Sequence, residues 1–385
     1  MIQRELVKIL AEYATEFRAV LLVGPRQSGK TTLVRETFPN KPYVSLENPD
    51  ERLLAETDTR AFLNRFPNGA ILDEAQRVPP LFSYLQEILD KTEEDGLFIL
   101  TGSNNILLQE NITQTLAGRL GVLDLYPLSF REIASIGEDY TLNELIFKGS
   151  YPEIYNKNRK PGLWYSSYIR TYVERDVRQI KNIENTSLFI KFLKICAGRI
   201  GQQLNITAIS NESGIDLRTV QSWLSVLEQT YVIRLLQPFY NNFNKRILKT
   251  PKLYFIDTGL ACSLLGIRKK EELEMSHFRG ALVENYIITE CFKNNSNQNS
   301  EQTFYYWRDN KGVEVDLIID NGTTFLPIEI KSAETFSNDF TINLKKIKSY
   351  SDVKDAVIVY NGKMEFETSD GIKVFNWTSF LRGNN

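Results

Sequence analysis

Residues 24–31 read GPRQSGKT and form a complete G-x-x-x-x-G-K-[ST] pattern, whose residue types suit the phosphates of a nucleotide. An apolar run, 19–23, precedes the pattern and a helix-compatible stretch, 31–36, follows it, which is the strand–loop–helix context that such a loop requires. Its glycines let backbone N–H groups point at phosphate oxygens, and the helix amino terminus adds partial positive charge. Lys30 is predicted to reach the β- and γ-phosphates, and Thr31 to bind Mg²⁺ through its hydroxyl. The alternative is a glycine turn that a lysine follows by chance. The predicted nucleotide-binding residues are Gly24, Pro25, Arg26, Gln27, Ser28, Gly29, Lys30, Thr31 and Thr32.

Two acids end a later apolar run, 69–72, and suit the metal and the water of nucleotide hydrolysis. Asp73 is predicted to hold Mg²⁺ together with Thr31. Glu74 is predicted to orient or deprotonate the attacking water. A further apolar strand leads to Ser103, which we expect to face the γ-phosphate. Ser103 could equally begin a helix as its N-cap, and the two roles are compatible.

Composition sets the class of protein. The chain has 385 residues, of which 42% are hydrophobic and 24% charged, as in a globular protein of two or three domains. The net charge of −2 does not suggest nucleic acid, so any DNA binding must come from a local patch. Three widely spaced cysteines and one histidine argue against a zinc ribbon, a disulfide framework and a histidine-based triad. We see no signal peptide and no apolar run long enough to span a membrane, and therefore expect a cytoplasmic protein.

Short apolar strands alternate with helical stretches over residues 1–145. This alternation predicts the α/β fold class, with a parallel sheet between helices and the nucleotide at the carboxyl ends of the strands. We therefore assign residues 1–145 to a P-loop ATPase domain. The predicted strands are 19–23, 42–46, 69–72, 97–101 and 121–126, and the predicted helices are 30–37, 50–65, 80–91 and 104–117.

Residues 146–272 are predicted to form a helical linker and a winged-helix domain. Helix 206–213, a tight turn and helix 217–229 have the spacing of a helix-turn-helix, and strands 235–239 and 252–256 would flank a wing. Segment 240–255 has four bases and no acid, which suits contacts to DNA phosphates. The alternative is that this domain makes only protein contacts. The predicted DNA-binding residues are Arg218, Lys245, Arg246, Lys249 and Lys252.

Residues 273–385 carry a second constellation of charged side chains, on a predicted α/β domain. Asp316 lies in one predicted strand, and Glu329 and Lys331 share a face of the next because side chains alternate along a strand. A hairpin would bring the three together, with Glu284 of the preceding helix as a fourth member. Three carboxylates and a lysine are the parts of a Mg²⁺ or Mn²⁺ site that hydrolyses phosphodiesters, with Asp316 and Glu329 as metal ligands. The alternative is a structural cluster of salt bridges.

The order E…D…E-x-K resembles the core of the PD-(D/E)XK nucleases. Segments spread along nearly the whole chain resemble the prokaryotic family of AAA-type ATPases with a C-terminal domain of unknown function. This resemblance implies an ATPase that uses ATP and Mg²⁺, a winged helix and a nuclease-like domain. It also implies that Arg119 contacts a nucleotide phosphate, in its own subunit or across the interface of a homo-oligomer; the alternative is an ordinary solvated arginine. The segments are GPRQSGKTTL, ILDEAQRVP, ILTGSN, LAGRL, YPLSFREI, YIRTYVERDV, KTPKLYFIDTGL, ALVENYIITE and YYWRDNKGVEVDLII…IEIKS.

Two functions follow from these patterns. The first is an ATP-hydrolysing protein that acts on DNA through the winged helix and a nuclease-like domain, with cutting by that domain left open. The second is a nucleotide-dependent regulatory protein in which those two domains are catalytically silent and bind protein partners. An intact set of Asp316, Glu329 and Lys331 favours the first, and the acidic pI of 5.8 favours the second.

Overall fold

A computed structural model of the protein describes residues 2–103, 116, 118–172, 185–239, 250–350, 353 and 355–383. These residues form two compact units. The first comprises Met1–Leu128, Gln229–Tyr231 and Ser296–Asn299, and the second comprises Ser129–Glu228, Val232–Asn295 and Ser300–Asn385. The predicted boundary between residues 272 and 273 therefore falls inside the second unit, and the predicted helix 104–117 lies almost wholly outside the described residues.

The first unit contains a parallel sheet of five strands in the order β2-β3-β4-β1-β5. All five residues of the interior strand β1 are buried, which explains why its sequence is a continuous apolar run rather than an alternating one. The predicted α/β class with a parallel sheet is confirmed for this unit. Its strands are β1 Ala19–Val23, β2 Tyr43–Ser45, β3 Ala70–Asp73, β4 Phe98–Gly102 and β5 Leu120–Asp124. Its helices include α1 Val7–Glu16, α2 Lys30–Thr37, α3 Pro49–Thr57, α4 Thr59–Asn64 and α5 Pro80–Lys91.

The opening helix α1 covers one face of this sheet. Leu6 and Leu10 are fully buried and belong to the same core cluster as Val20 and Leu22 of β1. Leu33 of α2 joins that cluster, so the helix that follows the phosphate-binding loop is fixed against the strand that precedes it. The core therefore holds both ends of the loop.

The second unit combines helices with a mixed sheet of eight strands in the order β12-β13-β11-β10-β9-β8-β6-β7. Strands β8, β9 and β10 are antiparallel neighbours, whereas β10, β11 and β13 run parallel. The strands are β6 Ile233–Pro238, β7 Lys252–Phe255, β8 Thr303–Arg308, β9 Glu314–Asp320, β10 Phe325–Lys331, β11 Ala356–Tyr360, β12 Phe366–Glu367 and β13 Ile372–Asn376. The helices are α6 Phe130–Ala134, α7 Leu142–Lys148, α8 Pro152–Asn156, α9 Pro161–Tyr172, α10 Thr186–Ala197, α11 Ile206–Ser213, α12 Leu217–Gln229, α13 Thr258–Leu264, α14 Lys270–Glu274, α15 Arg279–Asn297, α16 Ile342–Tyr350 and α17 Trp377–Arg382.

Helices α11 and α12 lie at the positions predicted for the two helices of the helix-turn-helix. Asn205 caps the start of α11 by accepting a hydrogen bond from the backbone N–H of Ala208. Gly214 ends that helix in the left-handed region, with φ of 77°, where a glycine carries no steric penalty. Strands β6 and β7 then pair as an antiparallel hairpin, but β6 also pairs in parallel with β8. The hairpin therefore belongs to the same sheet as the strands that follow residue 300.

All three cysteines are buried, and none is in a disulfide. Burial raises the pKa of the Cys196 thiol to about 12 and that of Cys291 to about 12. In the part of the chain that the structure describes, no helix is both long enough and apolar enough to cross a membrane.

Candidate functional site

The loop between β1 and α2 has the shape of a phosphate cradle. Gly24 has φ of 148°, and a Cβ there would lie 2.2 Å from the carbonyl oxygen of Leu125, so only glycine lets the loop pass the residue after β5 this closely. Gly29 precedes α2 in the left-handed region, with φ of 98°. Lys30 is only 5% exposed, and its ammonium donates hydrogen bonds to the carbonyls of Gly24 and Pro25, both at 2.9 Å. These two bonds hold the ammonium within the loop.

Asp73 collects hydroxyl donors from three other elements of the first unit. The Thr31 hydroxyl at the start of α2 lies 3.1 Å from both carboxylate oxygens, and the Tyr43 hydroxyl of β2 donates at 2.8 Å. Thr101 of β4 donates a short hydrogen bond to the same carboxylate. Burial and the bond to Asp73 raise the pKa of Tyr43 to about 12, so Tyr43 acts as a donor at neutral pH. The predicted pair of Thr31 and Asp73 is thus brought together, and both offer the oxygen ligands that Mg²⁺ takes.

Glu74 and Ser103 also lie together. The Ser103 hydroxyl donates to the Glu74 carboxylate at 3.0 Å, and the Gln76 amide donates to the same oxygen at 2.5 Å. The backbone of Glu74 is in the left-handed region, with φ of 58°, and its N–H donates to Thr101 at 3.2 Å. An uncommon backbone conformation that is held from several sides is typical of a functional site. Gln76 was missed by sequence reasoning, although its place two residues after the acidic pair was a usable signal.

Several polar atoms around the loop are buried without a hydrogen-bond partner among the described residues. They include the Ser28 hydroxyl, in a residue with no exposed surface, and the amide oxygen of Gln76. Orphaned polar atoms are costly in a folded protein unless a ligand, ion or water satisfies them. Arg26, also in the loop, forms an ion pair with Glu47 at 3.2 Å, so its guanidinium is held beside the cradle.

Arg119 lies at the wrong edge of the sheet to contact a phosphate in its own subunit. It immediately precedes β5, and Leu120 pairs with Ala19 at the start of β1, whereas the loop follows Val23 at the end of β1. A five-residue strand spans about 16 Å. The Arg119 guanidinium forms a short ion pair with Asp90 instead. The prediction of a contact within the same subunit is therefore wrong, while a role across a subunit interface stays a prediction.

The predicted DNA-binding residues have separate outcomes. Arg218 is exposed in the first turn of α12, where its predicted role stays a prediction. The wing bases, Lys245, Arg246 and Lys249, lie outside the described residues. Lys252 is only 2% exposed and forms ion pairs with Glu284 and Glu314, so the prediction that it contacts DNA phosphates is wrong.

The second unit brings Asp316, Glu329 and Lys331 to one place. Leu317 of β9 pairs with Ile328 of β10, so Asp316 and Glu329 follow one step further along facing strands. The Asp316 carboxylate accepts a hydrogen bond from the backbone N–H of Ile330 at 2.8 Å. The Lys331 ammonium lies 2.6 Å from Glu329. The other carboxylate oxygen of Glu329 is buried and has no hydrogen-bond partner among the described residues.

Crowded carboxylates set the electrostatics of this cluster. Burial and the neighbouring charges of Glu284 and Glu329 raise the pKa of Asp316 well above its usual range. Burial also raises the pKa of Glu329. The pKa of Lys331 lies above 10.5 although burial opposes this, because Asp316 and Glu329 favour its charged form. A carboxyl with a raised pKa beside a charged lysine is the electrostatic pattern of a functional site, although ion-pair networks also produce it.

Two residues of β7 complete the cluster. Sequence reasoning placed Lys252 at a DNA interface and did not single out Tyr254. The Lys252 ammonium lies 3.1 Å from Glu284 and 2.5 Å from Glu314. The Tyr254 hydroxyl donates to the same oxygen of Glu284 at 2.5 Å. Within the described ranges, no three Asp, Glu, His or Cys side chains converge closely enough to hold a metal ion. The cluster as folded thus does not fit the predicted Mg²⁺ or Mn²⁺ ligand set.

Three domain families match successive parts of the chain. An AAA domain matches residues 16–134, the domain of unknown function DUF8612 matches residues 139–271, and the domain of unknown function DUF4143 matches residues 279–380. Together with the loop geometry and the parallel sheet, the first match defines the class: the protein carries a P-loop ATPase domain of the AAA type.

Relatives that match over most of this chain define the family. The chain is 30% identical over 360 residues to an uncharacterized protein of Mycobacterium tuberculosis, a match that covers 92% of this chain and 78% of the relative. The protein belongs to the family of that relative. An uncharacterized protein of Methanocaldococcus jannaschii is 25% identical over 338 residues, covering 78% and 71% of the two chains. Among solved structures, the Walker-type ATPase of Pyrococcus abyssi matches with a TM-score of 0.45 and 16% identity, covering 69% of this chain and 96% of that one.

Proposed function

We propose that this protein binds ATP with Mg²⁺ on the loop of residues 24–32 and hydrolyses it. The observation that carries the proposal is the 3.1 Å contact between the Thr31 hydroxyl and the Asp73 carboxylate. These groups come from α2 and from the end of β3, and the loop that leads into α2 also carries the orphaned Ser28 hydroxyl. Thr31 and Asp73 would hold Mg²⁺, which would offset the negative charge that develops on the phosphates.

The chain's own residues then have distinct tasks. Lys30 exchanges its hydrogen bonds with the loop carbonyls for bonds to phosphate oxygens, which places a positive charge where negative charge develops. Glu74 accepts the proton of the attacking water. Ser103 and Gln76 hold the Glu74 carboxylate in one orientation until then. Tyr43 and Thr101 fix Asp73 and are positioning residues.

The test is steady-state release of inorganic phosphate from ATP with Mg²⁺. Glu74→Gln should leave ATP binding near wild type and lower turnover by about 10²–10⁴-fold, because a general base contributes that much. Glu56→Gln is the matched control, since Glu56 is exposed on α3 and lies outside the site. Equal turnover by wild type and Glu74→Gln would reject the assignment of the base, and no binding of ATP by wild type would reject the function.

We infer action on DNA as a second function of the chain. It is favoured by helices α11 and α12, which lie where a helix-turn-helix was predicted, and by the proximity of Asp316, Glu329 and Lys331 on β9 and β10. The test compares ATP hydrolysis with and without duplex DNA, and compares plasmid nicking by wild type with that by Asp316→Ala. Stimulation of ATP hydrolysis by duplex DNA that is lost when Arg218 is replaced supports action on DNA. No stimulation and no binding in ~50 mM salt would favour a regulatory protein whose partners are proteins.

A further inference from the structure

Lys252 is the least exposed cation of the charged cluster in the second unit. The cluster contains four carboxylates, from Glu284 on α15, Glu314 and Asp316 on β9, and Glu329 on β10. Lys331 pairs with Glu329 near the surface, with its side chain 30% exposed. Lys252 is 2% exposed and enters from β7, a strand distant in sequence from the others.

Lys252 contacts one carboxylate oxygen of Glu284 and one of Glu314. One oxygen of Glu284 accepts from the Lys252 ammonium at 3.1 Å and from the Tyr254 hydroxyl at 2.5 Å. Two donors occupy both lone pairs of that oxygen. The Lys252 ammonium also holds one oxygen of Glu314 at 2.5 Å, and Arg308 holds the other at 3.0 Å.

We propose that Lys252 supplies, as a fixed part of the chain, the positive charge that a divalent cation would otherwise supply to this cluster, and that it excludes such a cation from Glu284. A buried ammonium and a divalent ion that share one carboxylate repel each other strongly, because little water screens them. The absence of any three converging metal ligands among the described residues agrees with this arrangement. One oxygen of Glu329 is buried without a hydrogen-bond partner, but among the described residues no group of three ligands converges there to complete a cation's shell.

The exclusion of a divalent cation from Glu284 does not depend on whether the protein hydrolyses ATP. It predicts that the wild-type chain does not bind Mn²⁺ through Glu284. It also predicts that removing the ammonium opens a latent site, so that Lys252→Met binds Mn²⁺ at least about tenfold more tightly than wild type. Lys252→Arg keeps the positive charge and should bind Mn²⁺ no more tightly than wild type.

The experiment titrates the full chain with Mn²⁺ in the absence of nucleotide and follows free Mn²⁺ by electron paramagnetic resonance. The variants are Lys252→Met, Lys252→Arg and the double variant with Glu284→Gln. Lys345→Met is the matched control, because Lys345 is an exposed lysine of the same unit that pairs with Asp370. Tight binding by Lys252→Met that is lost in the double variant supports the proposal. Binding by Lys252→Met no tighter than by wild type overturns it.

Loss of the Lys252 ammonium leaves buried carboxylates without their cation and could prevent folding. Circular dichroism therefore establishes whether Lys252→Met folds. If that variant does not fold, wild type against Glu284→Gln decides alone. Equal Mn²⁺ binding by these two proteins supports the exclusion of the cation from Glu284. Mn²⁺ binding by wild type that is lost in Glu284→Gln would show that the metal and Lys252 coexist, which overturns the proposal.

Discussion

Replacing Lys30 with methionine tests the nucleotide site most directly. Methionine keeps an unbranched chain of similar length but removes the ammonium that now lies 2.9 Å from the carbonyls of Gly24 and Pro25. A hydrogen bond to a charged group contributes about 1.5–3 kcal/mol. The loss of one such bond to phosphate should raise the Kd for ATP by about 10- to 150-fold.

The same substitution should also destabilise the protein without nucleotide. Lys30 is 5% exposed, so methionine leaves the two loop carbonyls with no donor from this side chain in a largely buried place. An unsatisfied buried polar group costs about 1–3 kcal/mol. The midpoint of thermal unfolding should therefore fall by several degrees. Binding must be measured well below that midpoint, because partial unfolding would mimic a loss of affinity.

Calorimetric titration with ATP and Mg²⁺ at room temperature is the assay. Lys41→Met is the matched control: the Lys41 ammonium donates to the carbonyl of Leu97 at 3.2 Å, just before β4 begins and at the edge of the sheet opposite the loop. Its affinity for ATP should equal that of wild type. A folded Lys30→Met protein that binds ATP as tightly as Lys41→Met would refute the phosphate-loop reasoning.

Three further outcomes are expected. Arg119→Ala should leave ATP affinity unchanged, since Arg119 lies at the sheet edge away from the loop. If Arg119 acts across a subunit interface, the substitution lowers ATP hydrolysis, and mixing the variant with Glu74→Gln protein restores part of that activity. Unchanged hydrolysis by Arg119→Ala would remove Arg119 from the mechanism. Neutralising the three wing bases should reduce the salt slope of duplex DNA binding by about 2.7, at about 0.9 per phosphate contact, and an unaltered slope would remove them from the interface. The buried cysteines should react with an aromatic disulfide reagent only after the protein unfolds. Burial raises their pKa values, and the thiolate is the reactive form. Fast reaction of the native protein would contradict their burial.

The phosphate loop could be predicted because its parts are adjacent in sequence. Strand, glycines, lysine and helix follow one another within residues 19–37, so local geometry alone places them. The pairing of Thr31 with Asp73 followed from parallel strands that end at one edge. The position of Arg119 at the far edge of the sheet could also have been predicted from the sequence. Arg119 precedes one parallel strand, whereas the phosphate loop follows another, so the two lie at opposite edges.

The partners of Asp73 depended on strand order instead. Tyr43 and Thr101 reach it because β3 lies between β2 and β4, and no local pattern in the sequence states which strands are neighbours. In the second unit, the facing of Asp316 and Glu329 followed from the side-chain period of two in a hairpin.

By itself, the sequence determined the ATPase class, the loop and the hairpin that carries Asp316 and Glu329, because each depends on residues close in sequence or on a fixed backbone period. Only the tertiary structure decided the place of Lys252. In sequence Lys252 belongs to an acid-free basic segment, and that context predicts an exposed phosphate contact. The parallel pairing of β6 with β8 instead joins its hairpin to the sheet of the carboxylates and buries its ammonium against Glu284. The net charge of a segment does not reveal such a pairing, since burial of a charge depends on partners distant in the chain.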